Sequence, residues 1–441
     1  MGQLIAIAFR NVMKNWRHSV AAIISVSAGL ISLVLFQGYM SDVKFMYEDS
    51  YRHRTMYGDA MIEHKDVHSK EGRSEPLNFA LTKEDQNFIN EFAEEYSTSI
   101  YTTVRFLYIQ GMITNGKTST IYTGPGYDII AGAKARQEAW EWDTLYGVPL
   151  QKAKVSNPIV IGQALGTLLG CKPLTNEDIH GGRLGYVPKD RPFECYTNQV
   201  QVSLTTESGQ LNALDLDIVG MIDSGYKDVD NKYGHMSLTD AQTLMNTDKI
   251  TTQTFQFKNP ADTMKYINIF NEKAKTTHPH LLMQRWQDNH FVSDIYDRIM
   301  NLFKIFRNFV VTVIVSIAGL STLNTMVKVV KERTKEIGTL RSLGFNQSQV
   351  KFLFVTESLF LSLLGIVAGI ILALVFQFAI NSAHIYYKGG LLSQPVLFRI
   401  QADYYSYVAS IICLNLLSIV TSYLACRHTV NKNIAENLSY A

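Results

Sequence analysis

Four stretches of this 441-residue chain are strongly apolar and carry no Asp, Glu, Lys or Arg. They are Val20–Met40, Asn308–Val327, Ser358–Ala383 and Tyr404–Cys426. At 1.5 Å per residue, a helix of such length crosses the roughly 30 Å hydrocarbon core of a bilayer. A buried helix of a soluble domain would be interrupted by a polar stripe, so the pattern predicts four transmembrane helices.

The charges beside these helices predict the orientation of the chain. The segment before the first helix has Arg10, Lys14 and Arg17 without an acidic residue, and the loop over 328–351 is rich in lysine and arginine. Residues 41–307 instead hold 28 basic and 34 acidic side chains, a net of −6. Both termini and the 328–351 loop are therefore expected in the cytoplasm, with the large polar segment outside.

The expected fold class is a membrane α-helical protein with a large extracytoplasmic α+β domain inserted between helices one and two. The uncharged run of the first helix is longer than a usual signal-peptide core, so we expect it to stay as an anchor. The expected segments are an interfacial helix at 1–17, transmembrane helices at 18–40, 308–327, 352–383 and 404–426, the α+β domain at 58–290, a stalk at 291–307, a cytoplasmic loop at 328–351, a short outer loop at 384–403 and a tail at 427–441.

The outer domain mixes two kinds of pattern. Strand-like runs include Ser99–Gln110 and Thr118–Thr123, whereas Thr82–Glu95 and Ala261–Lys275 are typical of helices. The glycines and prolines of Thr175–Arg191 predict a mobile loop.

Apolar residues at helical spacing run from the end of this domain directly into the second membrane helix. They predict a helical stalk, paired with an outward extension of the first helix to about residue 57; a helix end packed in the domain core is the alternative. The stalk residues are Ile295, Ile299, Leu302 and Phe306.

The four cysteines divide evenly between the membrane and the outer domain. Cys413 and Cys426 lie in or at the end of the fourth membrane helix, whereas Cys171 and Cys195 flank a Gly/Pro-rich outer segment. An oxidising compartment permits a disulfide between the outer pair. Two free, buried thiols are the alternative, and the sequence leaves both open.

Residues 111–118 satisfy the phosphate-loop pattern G-x-x-x-x-G-K-[ST]. That site needs a helix after the loop, because the helix N-terminus and backbone N–H groups bind the phosphates. The following Thr118–Thr123 is instead β-prone, and Asn115-Gly116 between two β-like runs predicts a hairpin. We therefore expect no nucleotide site and no cofactor in this chain.

Other functional classes lack their signals. His64 and His68 stand near two acidic residues, but zinc sites need three or four converging ligands, so no metal site is predicted. The sequence nominates no catalytic nucleophile and no basic, aromatic-interleaved surface for nucleic acid. We expect a protein that is not itself an enzyme.

The segment from Glu332 to Gly369 reads ERTKEIGTLRSLGFNQSQVKFLFVTESLFLSLLGIVAG. It resembles the FtsX-like permease family, the membrane subunits of MacB and LolC/LolE type ABC transporters, whose motif reads roughly E-R-[TR]-[RK]-E-I-G-x-[LR]-[RK]-[AS]-[LI]-G. Gly38-Tyr39 followed by Gly58–Ile62 resembles the entry to the outer domain in the LolE-like branch, and Ile159–Leu165 and Asp217–Met221 are less specific similarities to it. Ile434 departs from the proline usual in the family's tail.

The resemblance implies a coupling helix at Glu332–Leu343 that docks on a separate ATPase, which binds the ATP and Mg²⁺. Ile337 and Leu340 would supply an apolar anchor. Gly338 would allow close backbone approach, and Gly344 would end the helix. A solvated, positive-inside loop explains the lysines but not the Ile/Gly/Leu pattern. The expected coupling residues are Glu332, Arg333, Glu336, Ile337, Gly338, Leu340, Arg341 and Gly344.

Small residues recur four apart in two of the membrane helices, a spacing that allows close helix contact in lipid. We expect them to form packing seams within or between subunits; a general enrichment of small residues in membrane helices is the alternative. They are Ala21, Ser25 and Gly29 in the first helix and Gly365, Gly369 and Ala373 in the third.

The resemblance also implies partners and a location. We expect a bacterial inner-membrane permease paired with an identical or paralogous permease, two copies of an ABC ATPase, membrane lipid, a periplasmic carrier or adaptor, and no nucleic acid. The favoured function is mechanotransmission: ATP hydrolysis by the ATPase moves a lipoprotein or other lipidated, amphipathic cargo on the periplasmic side. A MacB-like efflux permease with a periplasmic adaptor and an FtsX-like regulator of a cell-wall hydrolase are the alternatives.

Overall fold

The computed structural model describes residues 2–14, 16–137, 144–174, 191–222, 224, 227–387 and 396–431. The chain divides into two compact units. The first unit comprises Met1–Phe45, Arg298–Ile385 and Phe398–Ala441, and the second comprises Met46–Asp297 and Tyr386–Leu397. Most of the predicted mobile loop over 175–191 and the tail after residue 431 lie outside the described residues.

The secondary structure is numbered in chain order. The helices are α1 (Gly2–Lys14), α2 (Trp16–Asp49), α3 (Lys70–Ser74), α4 (Lys83–Glu95), α5 (Ile129–Arg136), α6 (Gln163–Leu168), α7 (Lys227–Asp230), α8 (Leu238–Met245), α9 (Thr263–Thr277), α10 (His290–Glu332), α11 (Thr334–Ser342), α12 (Gln347–Ser382) and α13 (Tyr404–Val430). The strands are β1 (Ala60–His64), β2 (Ile100–Thr114), β3 (Ser119–Tyr127), β4 (Thr144–Gly147), β5 (Pro158–Gly162), β6 (Cys171–Pro173), β7 (Phe193–Cys195), β8 (Gln199–Thr205), β9 (Leu211–Ile222), β10 (Gly234–Ser237), β11 (Thr252–Phe257), β12 (Leu281–Gln284), β13 (Tyr386–Tyr387) and β14 (Val396–Leu397).

Within the described part of the chain, four helices are long and apolar enough to cross a membrane: those containing Val20, Asn308, Ser358 and Tyr404. These are α2, α10, α12 and α13, as the charge-free runs predict. The helices extend beyond those runs. α12 begins at Gln347 rather than 352, because Asn346 and Gln349 form a reciprocal capping box at its start.

The first unit is held together by two apolar clusters and by hydrogen bonds between helices. One cluster includes Leu30 of α2 and Leu414 of α13, and the other joins residues of α1, α2, α10, α11, α12 and α13. The hydroxyls of Ser358 and Ser418 lie 2.7 Å apart, joining α12 to α13. A second contact, 3.0 Å long, runs from Ser362 to Asn415. Such bonds favour one helix register, because an unpaired polar group in lipid is costly.

The second unit is built on a ten-stranded mixed sheet. β2 pairs with both β3 and β8, and the path β3–β10–β5–β9 returns through β8 to β2, so six of the described strands close a ring. β11, β1 and β12 extend the sheet from β2, and β4 extends it from β9. The predicted mixture of helices and strands is present. The ring was not predicted, since its closure depends on pairing between strands that are distant in sequence.

Residues 111–118 form the end of β2 and the turn into β3. The two strands pair antiparallel up to Thr114 and Ser119, and Gly116 adopts a positive φ of 84°. The side-chain oxygen of Asn115 accepts hydrogen bonds from the N–H groups of Lys117 and Thr118. The predicted hairpin is therefore confirmed, and a strand rather than a helix follows the phosphate-loop pattern.

Cys171 and Cys195 lie directly opposite each other in the small β6–β7 sheet and are joined by a disulfide bond. The sequence left open a disulfide or two free thiols, and the structure has the disulfide. In the predicted outer loop at 384–403, β13 pairs with β14, and this pair belongs to the second unit.

Candidate functional site

The motif residues between α10 and α12 form a short, separate helix. α10 ends at Glu332, and Arg333 leaves the helical conformation with φ −104° and ψ 17° before α11 covers Thr334–Ser342. The helix is thus shorter than the predicted Glu332–Leu343, with Glu332 in the last turn of α10. Gly344 follows with φ +94°, a left-handed conformation that suits glycine after a helix end.

Ile337 lies in the apolar core of the first unit. Its side chain has no exposed surface and joins a cluster with Val12 of α1 and Phe354 of α12. Leu340 packs against the same cluster, and Gly338 is buried. This placement revises the expected role of Ile337, because a side chain buried in the unit's own core is not free to anchor another protein, whereas Leu340 is only partly buried.

Arg333 also turns toward the interior. Its Nη1 donates to Oε2 of Glu357, its Nε lies 2.7 Å from Oε2 of Glu336, and its guanidinium lies 4.9 Å from the ring centroid of Phe354. Asn11 of α1 donates to the other carboxylate oxygen of Glu357 at 2.7 Å. Burial lowers the pKa of Arg333, but the two carboxylates outweigh burial and raise that pKa, so the side chain stays charged.

Arg341, the second arginine of the motif, contacts the end of α13. Its Nη1 donates to the carbonyl oxygen of Val430 at 3.0 Å. Val430 is the last residue of that helix, where a carbonyl has no partner within the helix and a cation is favourable. The α11 segment is therefore attached to α1, α12 and α13 within the first unit.

The opposite surface of α11 is polar apart from one large apolar side chain. Leu343 is 72% exposed, and the Glu336 side chain is 57% exposed. We define the outer face of α11 by the exposed residues on and beside this helix: Lys335, Glu336, Thr339 and Ser342 of α11, Lys331 and Glu332 at the end of α10, and Leu343 directly after α11. Leu343 was not among the predicted coupling residues. It lies between the end of α11 and Gly344 and does not follow the helical spacing of the buried residues, and that position is the signal that could have identified it.

The glycines of α12 lie against α2. A Cβ added to Gly365 would lie 2.9 Å from Cβ of Val26, and one added to Gly369 would lie 2.9 Å from Cδ2 of Leu30. Ala373 continues this row and is fully buried. Larger side chains at these glycines would therefore push the two helices apart.

Two of the three small residues predicted in α2, Ser25 and Gly29, contact α10. The hydroxyls of Ser25 and Ser321 of α10 lie 2.7 Å apart. A Cβ added to Gly29 would lie 3.1 Å from that of Ala318, also on α10. Ala21 is exposed. The two rows of small residues therefore do not face each other, because the row on α12 meets larger residues of α2.

The predicted stalk residues lie on α10, an uninterrupted helix. Tyr296 in this region donates to Glu48 at 3.0 Å and packs edge-on against Tyr51, 5.7 Å away. The ring of Phe306 packs edge-on against Phe36, with 6.2 Å between the ring centroids. The apolar spacing thus located a helix, and one of the four predicted stalk residues, Phe306, has an aromatic contact. Ile295, Leu302 and Phe306 are exposed and Ile299 is partly buried.

No group of three or more metal-ligating side chains occurs within the described residues. Glu63 and His68 are paired at 2.9 Å. Asn289 also donates to the Glu63 carboxylate, at 2.8 Å, so these groups satisfy one another.

A family model described as "FtsX-like permease C-terminal" matches residues 308–434. This range covers most of α10 and all of α11, α12 and α13, including the site described above. The chain carries an FtsX-like permease domain.

Two curated relatives match over part of this chain. "ABC transporter permease YtrF" of Bacillus subtilis (strain 168) is 29% identical over 123 residues. "Macrolide export ATP-binding/permease protein MacB" of Haemophilus ducreyi is 31% identical over 117 residues. Each match covers 26% of this chain, and the chain spans 28% of the first relative and 15% of the second.

Two solved structures are weakly similar to this chain. The extracellular domain of the noncanonic ABC-type transporter YknZ from Gram-positive bacteria has a TM-score of 0.31 at 11% identity, covering 52% of this chain and 99% of that one. The periplasmic region of MacB from Actinobacillus actinomycetemcomitans also has a TM-score of 0.31, at 10% identity, covering 55% and 93%.

Proposed function

We propose that this chain is the membrane subunit of an ABC transporter driven by a separate ATPase. The observation that carries the proposal is α11, a short helix within the FtsX-like permease domain that is attached to the unit's core through Ile337 and exposes Leu343 on its outer face. The names of the two relatives, an ABC transporter permease and a macrolide export ATP-binding/permease protein, support it.

The proposed docking surface for the ATPase is the outer face of α11. Lys335 and Glu336 would pair with charges on the ATPase, and Leu343 would fill an apolar pocket there, as buried apolar anchors do in stable interfaces. The family resemblance supports a complex of two ATPases with two permeases, the second identical or paralogous. ATP and Mg²⁺ would be bound by the ATPases.

We further propose that the complex works by mechanotransmission at the bacterial inner membrane, with both termini in the cytoplasm. The lysines and arginines near α11 support this orientation. The proposed cargo is a lipoprotein or another lipidated, amphipathic molecule on the periplasmic side. The proposal of this cargo rests on the resemblance of Gly58–Ile62 to the LolE-like branch.

A second candidate function is efflux with a periplasmic adaptor. It is favoured by the similarity to MacB of Haemophilus ducreyi, which is named for macrolide export. The two functions differ in what binds to the complex: a lipidated protein in the first, a soluble adaptor in the second.

The test is purification of the full chain from its native membrane in mild detergent, with mass spectrometry of bound proteins and lipids. We expect an ABC ATPase in stoichiometric amount. Leu343→Asp should lose at least nine-tenths of it, whereas Leu211→Asp, at an 80% exposed leucine of the second unit, should retain it.

Absence of an ATPase from the wild-type complex would contradict the ABC function. Equal retention by both leucine variants would contradict the docking surface. A bound lipoprotein would support the first function, a bound adaptor would support efflux, and a cell-wall hydrolase without cargo would indicate the regulatory function.

A further inference from the structure

Glu357 is a carboxylate on α12 that is only 5% exposed. Both of its oxygens are occupied by donors from other parts of the unit. Oε1 accepts a hydrogen bond from Nδ2 of Asn11 on α1, at 2.7 Å, and Oε2 accepts one from Nη1 of Arg333. One side chain thus joins α1 and the start of α11 to α12.

Arg333 stands where the chain turns from α10 into α11, and its side chain is 12% exposed. α11 is only nine residues long and is bounded by non-helical backbone at Arg333 and by the positive φ of Gly344. Such a short helix between two breaks would pivot unless contacts fix its direction. Ile337 provides apolar contact, which has little directional preference. The directional contacts are the Arg333–Glu357 pair at the start of α11 and the Arg341–Val430 hydrogen bond near its end.

A buried ion pair contributes little net stability compared with well-packed apolar residues, because both charges lose their hydration. What it supplies here is a fixed geometry at the turn between two long helices. We infer that Glu357 is a positioning residue for energy coupling: it joins α11 and α1 to α12, so that a displacement of α11 by a bound ATPase also displaces α12. This inference rests on the proposed function.

The test uses the full chain in lipid nanodiscs with the ATPase that copurifies with it. Two quantities are measured: the dissociation constant of the ATPase, and the change in ATP hydrolysis rate that the chain causes. Glu357→Leu removes the contacts to both Asn11 and Arg333 without touching the outer face of α11. We expect the dissociation constant to stay within threefold of the wild type while the change in hydrolysis rate falls at least tenfold.

The matched control is Ser362→Ala. Ser362 is fully buried on the same helix, but its hydroxyl bonds to Asn415 of α13 rather than to the α11 segment. The Ser362→Ala chain should change the ATP hydrolysis rate of the bound ATPase as much as the wild-type chain does. If Glu357 contributed to stability alone, Glu357→Leu would lower the fraction of folded chain and leave the ATP hydrolysis rate per bound ATPase unchanged.

A folded Glu357→Leu chain that alters ATP hydrolysis as the wild type does would overturn the inference. If Glu357→Leu fails to fold, the double variant Arg333→Met/Glu357→Leu replaces it, because it also removes the arginine charge that would be buried without its partner. The change in ATP hydrolysis rate that this double variant causes is then compared with the change that the wild type causes. If the wild-type chain itself neither binds an ATPase nor alters its rate, the proposed function fails, and this inference fails with it.

Discussion

Truncation of Ile337 tests whether its side chain lies in the core of the first unit or on a surface that docks another protein. Ile337→Ala deletes three carbon atoms from a side chain with no exposed surface. At about 0.8 kcal/mol per buried carbon, the lost transfer free energy is about 2.4 kcal/mol, and the cavity that remains raises the cost to about 3 kcal/mol or more. The same type of truncation at Leu343, which is 72% exposed, should cost less than about 0.5 kcal/mol.

Hydrogen exchange of the full chain in nanodiscs measures this difference without global unfolding. Because about 1.4 kcal/mol corresponds to a factor of ten, peptides spanning Thr334–Ser342 should exchange about a hundredfold faster in Ile337→Ala. In Leu343→Ala they should exchange within about threefold of the wild type. Wild-type protection in Ile337→Ala, or equal loss in the two variants, would refute the placement of Ile337 in the core.

Three further predictions follow from contacts in both units. Gly369→Leu should lower the free energy of unfolding by about 1–3 kcal/mol, seen as a lower thermal midpoint, since its side chain would collide with Leu30, whereas Ile371→Leu at a 59% exposed position should not. Cys171→Ala/Cys195→Ala should destabilise the second unit by about 2–4 kcal/mol in denaturant titrations, and a reductant should then destabilise the wild type but not this variant. Burial tends to raise the pKa of Asp85, but hydrogen bonds from Thr82 and His280 outweigh it and hold that pKa below its ordinary value. The stabilising effect of Asp85 should therefore be complete above about pH 4 and disappear as the pH falls through the lowered pKa, so the stability difference from Asp85→Asn should vanish in acid. A difference that is independent of pH would contradict this assignment.

The sequence motif located the candidate site, but it did not indicate which of the site's side chains are buried and which are exposed. Ile337 lies within one short helix and Leu343 follows its end, and the family resemblance implied Ile337, with Leu340, as the apolar anchor. The structure places Ile337 in the core and Leu343 outside, because contacts with α1, α12 and α13 determine which face of α11 is inward. Asn11 and Glu357 are 346 positions apart, so nothing local to either residue indicates their hydrogen bond.

The sequence by itself determined the features that arise from local physical chemistry. Charge-free runs predicted the four long apolar helices, because uninterrupted apolar length is what a bilayer requires. Asn115-Gly116 predicted the β2–β3 hairpin, because few residues other than glycine tolerate the positive φ at its turn. Gly344 marked the end of α11 for the same reason.

Only the tertiary structure decided the features that join distant parts of the chain. The ring of strands closes because β8 pairs with both β2 and β9, and the disulfide forms because β6 and β7 bring Cys171 opposite Cys195. The family resemblance implied that Arg333 is a coupling residue, but its position in a basic loop does not indicate a partner within the chain. In the folded unit it is a buried partner of Glu357, because pairing of a buried charge depends on three-dimensional proximity and not on sequence spacing.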